Sequence, residues 1–454
     1  MNIALCHFRV GETDGVSLEM EKWKKVLEEL GHRVYLLAGS LGEEEGIVLE
    51  ELHYQHPVNN KFVANAYDRL SDYPDAEAFR EDVLAFAARI EEALCRAIDE
   101  YKLDMLVPNN IWSLGWGLPA GIAFAEVARK RNIACIAHNH DFHWERTRYS
   151  NPTDACISDW LEQYFPPKLP NVKQVVINKI AQEELLKRTG QPSTVVPNVF
   201  DFTAPAWTLD DYNGDFRKVI GVKDNDILFL QATRIAERKA IELAIDLAAE
   251  VGKPDNMKLL KESPLYDGRM LGDDGEIVLV LAGLQEASAA YVEGLNRRAE
   301  RQKVKLLYIN EWIEATRVTR NGKKLYSLWD AYVHADFITY PSVLEGWGNQ
   351  FLEGLYAKKP MAVYEYPVYG TDIKPCGFHI VSLGSEHTVD EEGLVHVESK
   401  VMEAAGREVL RYLQDGEFRN ARMEQNFRLG EERYSYDALK QILTGLFKTP
   451  VSKS

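Results

Sequence analysis

Cysteine is scarce: Cys6, Cys95, Cys135, Cys156 and Cys376 are five in 454 residues, odd in number, scattered, and nowhere spaced as a metal site. The simplest inference is a cytoplasmic protein with reduced thiols that pack rather than react. No window reaches the roughly 18 apolar residues of a membrane span. The first residues, Met1-Asn-Ile-Ala-Leu-Cys-His-Phe8, lack the basic leader and long apolar core of a signal peptide and read as a strand. Positive charge is in deficit, with 53 Lys and Arg against 70 Asp and Glu and a net charge of -17. Residues 1–205 alone carry 21 Lys and Arg against 31 Asp and Glu. Nucleic-acid binding needs clustered cations, so that partner class is excluded, and stable association with an anionic membrane is disfavoured. Internal repeats and low-complexity tracts are missing. So are the G-x-G-x-x-G dinucleotide fingerprint, the G-x-S-x-G elbow, the G-x-x-x-x-G-K-[ST] phosphate loop and the H-E-x-x-H zinc helix.

What is present is the composition of a soluble globular protein, 46% apolar and 27% charged, in a chain long enough for two domains. Short apolar runs alternate with helical periodicity, the pattern of parallel strands joined by crossover helices. In the first half the strand candidates are 2–8, 34–37, 105–107, 134–138, 174–178 and 194–197. Leu18 to Leu30 is the first helix, with Trp23, Val26, Leu27 and Leu30 on one face and Gly31 at its end. The stretch 204–221, with Pro205, Trp207 and Asp210-Asp-Tyr-Asn-Gly214, breaks the alternation. A second series follows at 227–232, 277–282, 305–309, 337–340, 361–363 and 380–383. The polar segment 253–276 reads as an excursion carrying a hairpin. Leu439, Ile442, Leu443, Leu446 and Phe447 form a stripe on a last helix. The expected organisation is two Rossmann-like α/β domains, residues 1–203 joined by 431–454, and residues 204–430.

Four segments carry chemistry. In Tyr340-Pro-Ser-Val-Leu-Glu-Gly-Trp-Gly-Asn-Gln-Phe-Leu-Glu353, a glycine turn separates Glu345, past a strand, from Glu353, on a helix. Carboxylates at both ends with free N–H groups between them suit the hydroxyls and phosphates of a nucleotide sugar. Two Glu alone would more often be surface acids; the glycines and the partner motifs reverse that. The second segment is Ala232-Thr-Arg-Ile-Ala-Glu-Arg-Lys239 after a strand. There Arg234 and Lys239 fall where an open α/β sheet binds ligands and could neutralise a departing diphosphate. The bland reading is a basic loop paired to acids such as Glu237. The third is Ala137-His-Asn-His-Asp-Phe-His-Trp-Glu-Arg146. His138 and His140 share a face, no cysteine or second cluster completes a ligand set, and a polar substrate-contacting loop outranks a metal site. His143 reads equally well as a core histidine. The fourth is the loop Arg9 to Ser17, where Gly11 and Gly15 permit close backbone approach.

Together these motifs resemble the retaining glycosyltransferase family 4 of the two-domain GT-B fold. Glu345 and Glu353 match its E-x7-E motif and Arg234 and Lys239 its Arg and Lys pair. Val196-Pro-Asn-Val199 is similar to the family's approach to the interdomain crossing, His138 to Asp141 to its histidine loop, and Gly11 to Val16 to its glycine-rich loop. The resemblance spans essentially the whole chain. It implies two Rossmann-like domains facing each other across a cleft, with the last helix crossing back to the first. It also implies a hexosyl transfer that retains anomeric configuration, from a nucleoside-diphosphate sugar such as UDP-glucose or GDP-mannose, with no cofactor or metal and with the donor's phosphate accepting the acceptor's proton. Carried over by position, Glu353 holds the ribose, Glu345 the transferred sugar, and Gly348, Asn349 and Gln350 the phosphates, with Gly15 also on the donor side. Arg234 and Lys239 stabilise the leaving group. His138 or His140 touches the sugar or acceptor, and Asp141, Asp14 and Asn110 contact the acceptor.

A finer likeness, in the histidine loop, in Pro-Asn-Val-Phe-Asp201 and in Tyr-Pro-Val-Tyr369, is to members that make small glycosides, the mannosylglucosylglycerate synthases among them. It implies compatible-solute synthesis with a small soluble acceptor of the glycerate or sugar type. Partners other than these small molecules are not expected, save a homodimer. The competing readings are a nucleotide-sugar epimerase or a phosphorylase on the same architecture, and an inactive sugar-nucleotide binding protein.

Overall fold

A computed structural model describes residues 1–11 and 14–448. Glu12 and Thr13, in the middle of the glycine loop, and residues 449–454 lie outside the described residues. The chain forms two compact units. One is Met1–Val199 with the last helix, Tyr436–Lys448; the other is Phe200–Ser435. The first divide precedes the 203/204 boundary read from the sequence because Phe200 is tied to the second unit. Its N–H donates to the Tyr434 carbonyl at 2.8 Å, and it bridges Ser435. Phe202 packs on Phe427 at 5.3 Å between ring centroids.

In the first unit seven strands form one sheet: β1 (Asn2–Cys6), β2 (Arg33–Ala38), β3 (Gly46–Val48), β4 (Met105–Pro108), β5 (Ala134–Asn139), β6 (Val172–Val176) and β7 (Ser193–Val195). All pair in parallel, in the order β3-β2-β1-β4-β5-β6-β7. The central strands are apolar on both faces because helices cover both, as parallel sheets require. The first helix, Gly15–Glu29, buries Met20, Trp23, Val26 and Leu27. Leu439, Leu443 and Leu446 of the last helix join the same core as that face, which is why the C-terminal stripe is apolar.

The second unit has β8 (Ile227–Gln231), β9 (Ile277–Leu281) and β10 (Lys305–Tyr308), a small set β11 (Ile313–Glu314), β12 (Val318–Arg320) and β13 (Lys323–Ser327), then β14 (Phe337–Tyr340), β15 (Met361–Val363) and β16 (Val381–Ser382). The main sheet runs β10-β9-β8-β14-β15-β16, all parallel. The excursion at 253–276 holds a helix, Pro254–Glu262, and no strand. The hairpin lies instead at 318–327, where Asn321 (φ 51°) and Gly322 (φ 76°) form a two-residue turn between β12 and β13. Positive φ at both central positions is what an Asn-Gly hairpin turn demands, and the pair fits without strain.

In each sheet the strand order reverses once, between β1 and β4 and between β8 and β14. Loops leave such a switch point in opposite directions and open a crevice at the strand ends. The second switch point is pinned by Asp336, buried just before β14. Its carboxylate accepts from the Leu228 N–H (2.8 Å), Arg217 (2.8 Å), the Tyr266 hydroxyl (2.9 Å) and Arg269. Burial pushes this carboxyl up, but Arg269 and Arg217 outweigh it and hold it below its ordinary value.

Candidate active site

The second unit brings together at its switch point the segments that follow β8 and β14. After β8 the chain is zipped to the loop after β9: Ile235 N–H donates to the Leu284 carbonyl at 2.8 Å, and Glu286 N–H to the Ile235 carbonyl at 2.9 Å. The two loops lie so close that a Cβ on Gly283 would sit 1.9 Å from the Thr233 carbonyl oxygen. A single 3-10 turn, Glu237–Lys239, then turns Lys239 inward. Lys239 forms an ion pair with Glu345, their side chains being only 8% and 11% exposed. Burial lowers the Lys239 amine, with Glu345 opposing and Arg238 and Arg234 adding to the fall, so Arg234 acts on the same small region. Arg234 itself pairs with Glu286, and both are about half exposed. Glu237 does not neutralise these cations; it accepts from the Ser288 N–H (3.0 Å) and hydroxyl (2.9 Å).

Glu345 is held from several sides. Besides Lys239, Arg238 Nη1 reaches its Oε2 at 3.2 Å. The buried phenols of Tyr340 and Tyr366 crowd it, and burial first, then the Glu345 charge, keeps both strongly protonated. Both carboxylate oxygens are thus engaged by cations, Oε1 by Lys239 and Oε2 by Arg238, rather than facing a second carboxyl across a cleft as in a carboxylate-pair glycosidase. Beyond Glu345 the chain turns at Gly348, with φ 129°. A Cβ there would lie 2.3 Å from the Tyr366 hydroxyl oxygen and 2.9 Å from that of Tyr340, so only glycine fits. The helix Asn349–Tyr356 starts here, and the first N–H groups of a helix attract anions. Glu353, one turn in, accepts from the Tyr332 hydroxyl at 2.7 Å. Ser342 Oγ, Trp347 Nε1 and Gln350 Oε1 are buried without a protein partner in this same segment.

In the first unit the strand ends of β1, β4 and β5 meet around Asn109. The carbonyl of Asn109 accepts from His7 Nδ1 (2.7 Å), and its amide oxygen takes His138 Nδ1 (2.9 Å) and faces His140 Nε2 (3.4 Å). His138 and His140 sit on one face as alternation dictates, ring centroids 4.2 Å apart. They differ in exposure. His138 is 2% exposed and stacks on Trp23 at 4.3 Å, while His140 is partly open. His140 is therefore the imidazole a ligand can meet. Burial, with His7 adding and Asp14 opposing, lowers His140 to about 3, so it is neutral at physiological pH. His143 also stays neutral, brought to about 4 by burial and Arg188. Among the described residues no group of three or more His, Cys, Asp or Glu is placed to hold a metal ion.

Asp14, Asn110, Gly15 and Asp141, named from the sequence, have these surroundings in the first unit. Asp14 caps the first helix, accepting from Val16 N–H, Ser17 N–H and the Ser17 hydroxyl, with Arg9 Nε at 3.4 Å. Asn110 is buried and holds the loop from beneath: its Oδ1 accepts from His140 N–H (2.8 Å) and Ser113 (3.0 Å), and its Nδ2 donates to Asp141 (2.9 Å). Gly15 has open space where a Cβ would be, so the close approach belongs to Gly11, against the Leu41 carbonyl. Asp141 pairs with Arg146. Sequence reasoning missed Arg238, Tyr332, Ser342 and Asn109. Of these, Asn109 had a signal, being a polar residue directly at a strand end beside Asn110.

Two curated relatives decide the family. The mannosylglucosylglycerate synthase of Petrotoga mobilis is 42% identical over 415 residues, 91% of this chain and 94% of that protein. The one from Thermotoga maritima is 39% identical over 444 residues, 98% and 99% of the two chains. The chain belongs to the mannosylglucosylglycerate synthase family. It is a glycosyltransferase of the GT-B fold. A solved glycosyltransferase from Rickettsia africae superposes with a TM-score of 0.60, covering 100% of this chain and 99% of that one at 13% identity, a likeness of fold. No protein-family profile matches the sequence. The glycosyltransferases to which the chain is related use a nucleotide-sugar donor. No helix among the described residues is long and apolar enough to cross a membrane.

Proposed function

We propose that the enzyme transfers a mannosyl group from a nucleoside-diphosphate mannose, GDP-mannose in the first instance, to glucosylglycerate, with retention of anomeric configuration. The names of the two relatives supply the product. The observation that carries the chemistry is the cluster of Lys239, Arg234 and Glu345 beside the start of the helix Asn349–Tyr356. When the bond to the anomeric carbon breaks, charge develops on the diphosphate. Fixed cations and backbone N–H groups in a partly buried site stabilise that charge. Gly348, Asn349 and Gln350 offer the N–H groups, and Glu353, steadied by Tyr332, takes the ribose hydroxyls. Glu345 accepts from hydroxyls of the mannosyl group. Arg234 leaves Glu286 for the diphosphate at small cost, since an exposed ion pair contributes only about 0–1 kcal/mol. The departing phosphate takes the acceptor's proton, because Glu345 is committed to cations and His140, though neutral, serves as a hydrogen-bond partner on the acceptor side.

The test is a matrix of GDP-mannose, UDP-glucose and other nucleotide sugars against glucosylglycerate, glycerate and simple sugars, with released nucleotide and product anomer read by NMR. Mannosyl transfer to glucosylglycerate with retention is expected. An inverted product, or transfer confined to lipid or polysaccharide, would sink the proposal.

A further inference from the structure

Arg238 touches the post-β14 segment with both its backbone and its side chain. Its carbonyl accepts from the Val343 N–H at 3.0 Å. Its Nη1 donates to the Leu344 carbonyl at 3.3 Å and to Glu345 Oε2 at 3.2 Å. Glu345 is thus shared, with Lys239 on Oε1 and Arg238 on Oε2. The two cations differ in setting: the Lys239 side chain is 8% exposed, that of Arg238 47%.

That division has a consequence once a diphosphate arrives. Lys239 cannot give its full charge to a phosphate while it neutralises Glu345, and a carboxylate as buried as Glu345 is costly to leave without a cation. A second cation already on the other oxygen removes the difficulty. We infer that Arg238 is a positioning residue that keeps Glu345 compensated and in place while Lys239 turns to the donor's diphosphate. The guanidinium suits this task because one nitrogen spans the Leu344 carbonyl and the carboxylate, fixing the loop as well as the charge. The inference rests on the reading of Lys239 as a partner of the diphosphate, and on nothing about the acceptor.

GDP and UDP binding, measured by calorimetry on the full chain, tests it without turnover. Arg238→Gln is expected to weaken binding of the better nucleotide about tenfold, within the usual range for residues that couple in direct contact. In a Glu345→Gln background the same change should have an effect below about twofold, because the charge to be compensated is gone. Arg238→Lys should recover most of the loss, and its thermal unfolding controls for folding. A loss of equal size in both backgrounds means that Arg238 touches the diphosphate itself and overturns the inference. No loss in either background overturns it too, as does a wild-type protein that binds neither nucleotide. Nucleotide binding that follows the expected cycle without mannosyl transfer would instead overturn the proposed substrates and leave the role of Arg238 standing.

Discussion

At the scale of residues, Arg234, Lys239, Glu345 and Glu353 stand out as candidates in the sequence because their chemistry is unusual just past a strand and because a glycine turn separates the two acids, and the structure pairs Lys239 with Glu345. Arg238 and Tyr332 do not stand out, since an arginine beside a lysine and a tyrosine inside a helix look ordinary until the fold supplies Glu345 and Glu353 as their partners. The glycines make the same point. Gly15 and Gly348 look alike in sequence, but only Gly348 has a positive φ and crowded surroundings. Gly348→Ala is expected to weaken nucleotide binding at least about tenfold and to destabilise the protein by about 1–3 kcal/mol, the usual cost of a residue held in a sparsely populated backbone region. Gly15→Ala, with nothing within 4 Å of the new carbon, should bind nucleotide normally and keep its stability to within about 0.5 kcal/mol. Calorimetric titration and urea unfolding of both variants decide this, and equal behaviour of the pair would refute the distinction.

At the scale of elements, every strand expected from the apolar runs is present with ends shifted by a residue or two, because a parallel strand covered on both faces is apolar throughout and stands out. What escaped was short or conditional. β3 has three residues, of which only Ile47 is buried, and the hairpin at Asn321-Gly322 was assigned to the polar excursion instead. The order of strands, which puts the site at the switch point, could not be read from any run of residues. It depends on long-range anchors such as Asp336, whose carboxylate joins β14 to the start of β8. Removing one member of a buried, hydrogen-bonded charge network leaves the rest uncompensated, so Asp336→Ala should cost about 3–5 kcal/mol in urea unfolding. Asp336 has a folded value below the ordinary 3.8, so its contribution is present above that value and is lost as pH falls through the lower folded one. The penalty of Asp336→Ala should therefore be full at pH 7 and shrink below pH 4. A penalty under about 1 kcal/mol at pH 7 would show that the anchor is not needed.

At the scale of the whole molecule, the first unit concentrates histidines that the fold keeps neutral. His138 is driven well below 6.5 by burial and His140; His140 is brought to about 3, His143 to about 4, and His7 is lowered, by burial first in each case. In the unfolded chain each returns to about 6.5. Between those values the unfolded state binds more protons than the folded state, so stability is complete above about pH 6.5 and falls as pH drops toward the folded values. Burial raises Glu19, Glu21 and Glu145 in the same unit, and the protons these carboxyls take up in the folded state as pH falls oppose part of this loss. With four lowered histidines against three raised carboxyls, the first unit should still lose stability across that window, by less than the histidines alone would give. His140→Asn keeps a polar side chain beside Asn109 and removes one titrating group. Each such proton contributes about 1.4 kcal/mol per pH unit, so the slope of unfolding free energy between pH 5 and 6 should flatten by up to about that amount in the variant. Urea unfolding at half-unit pH steps, followed by a probe in the first unit, makes the comparison. A wild-type stability that is level from pH 7 to 5, or a variant with an unchanged slope, would show that the imidazole cluster is not what couples this fold to pH.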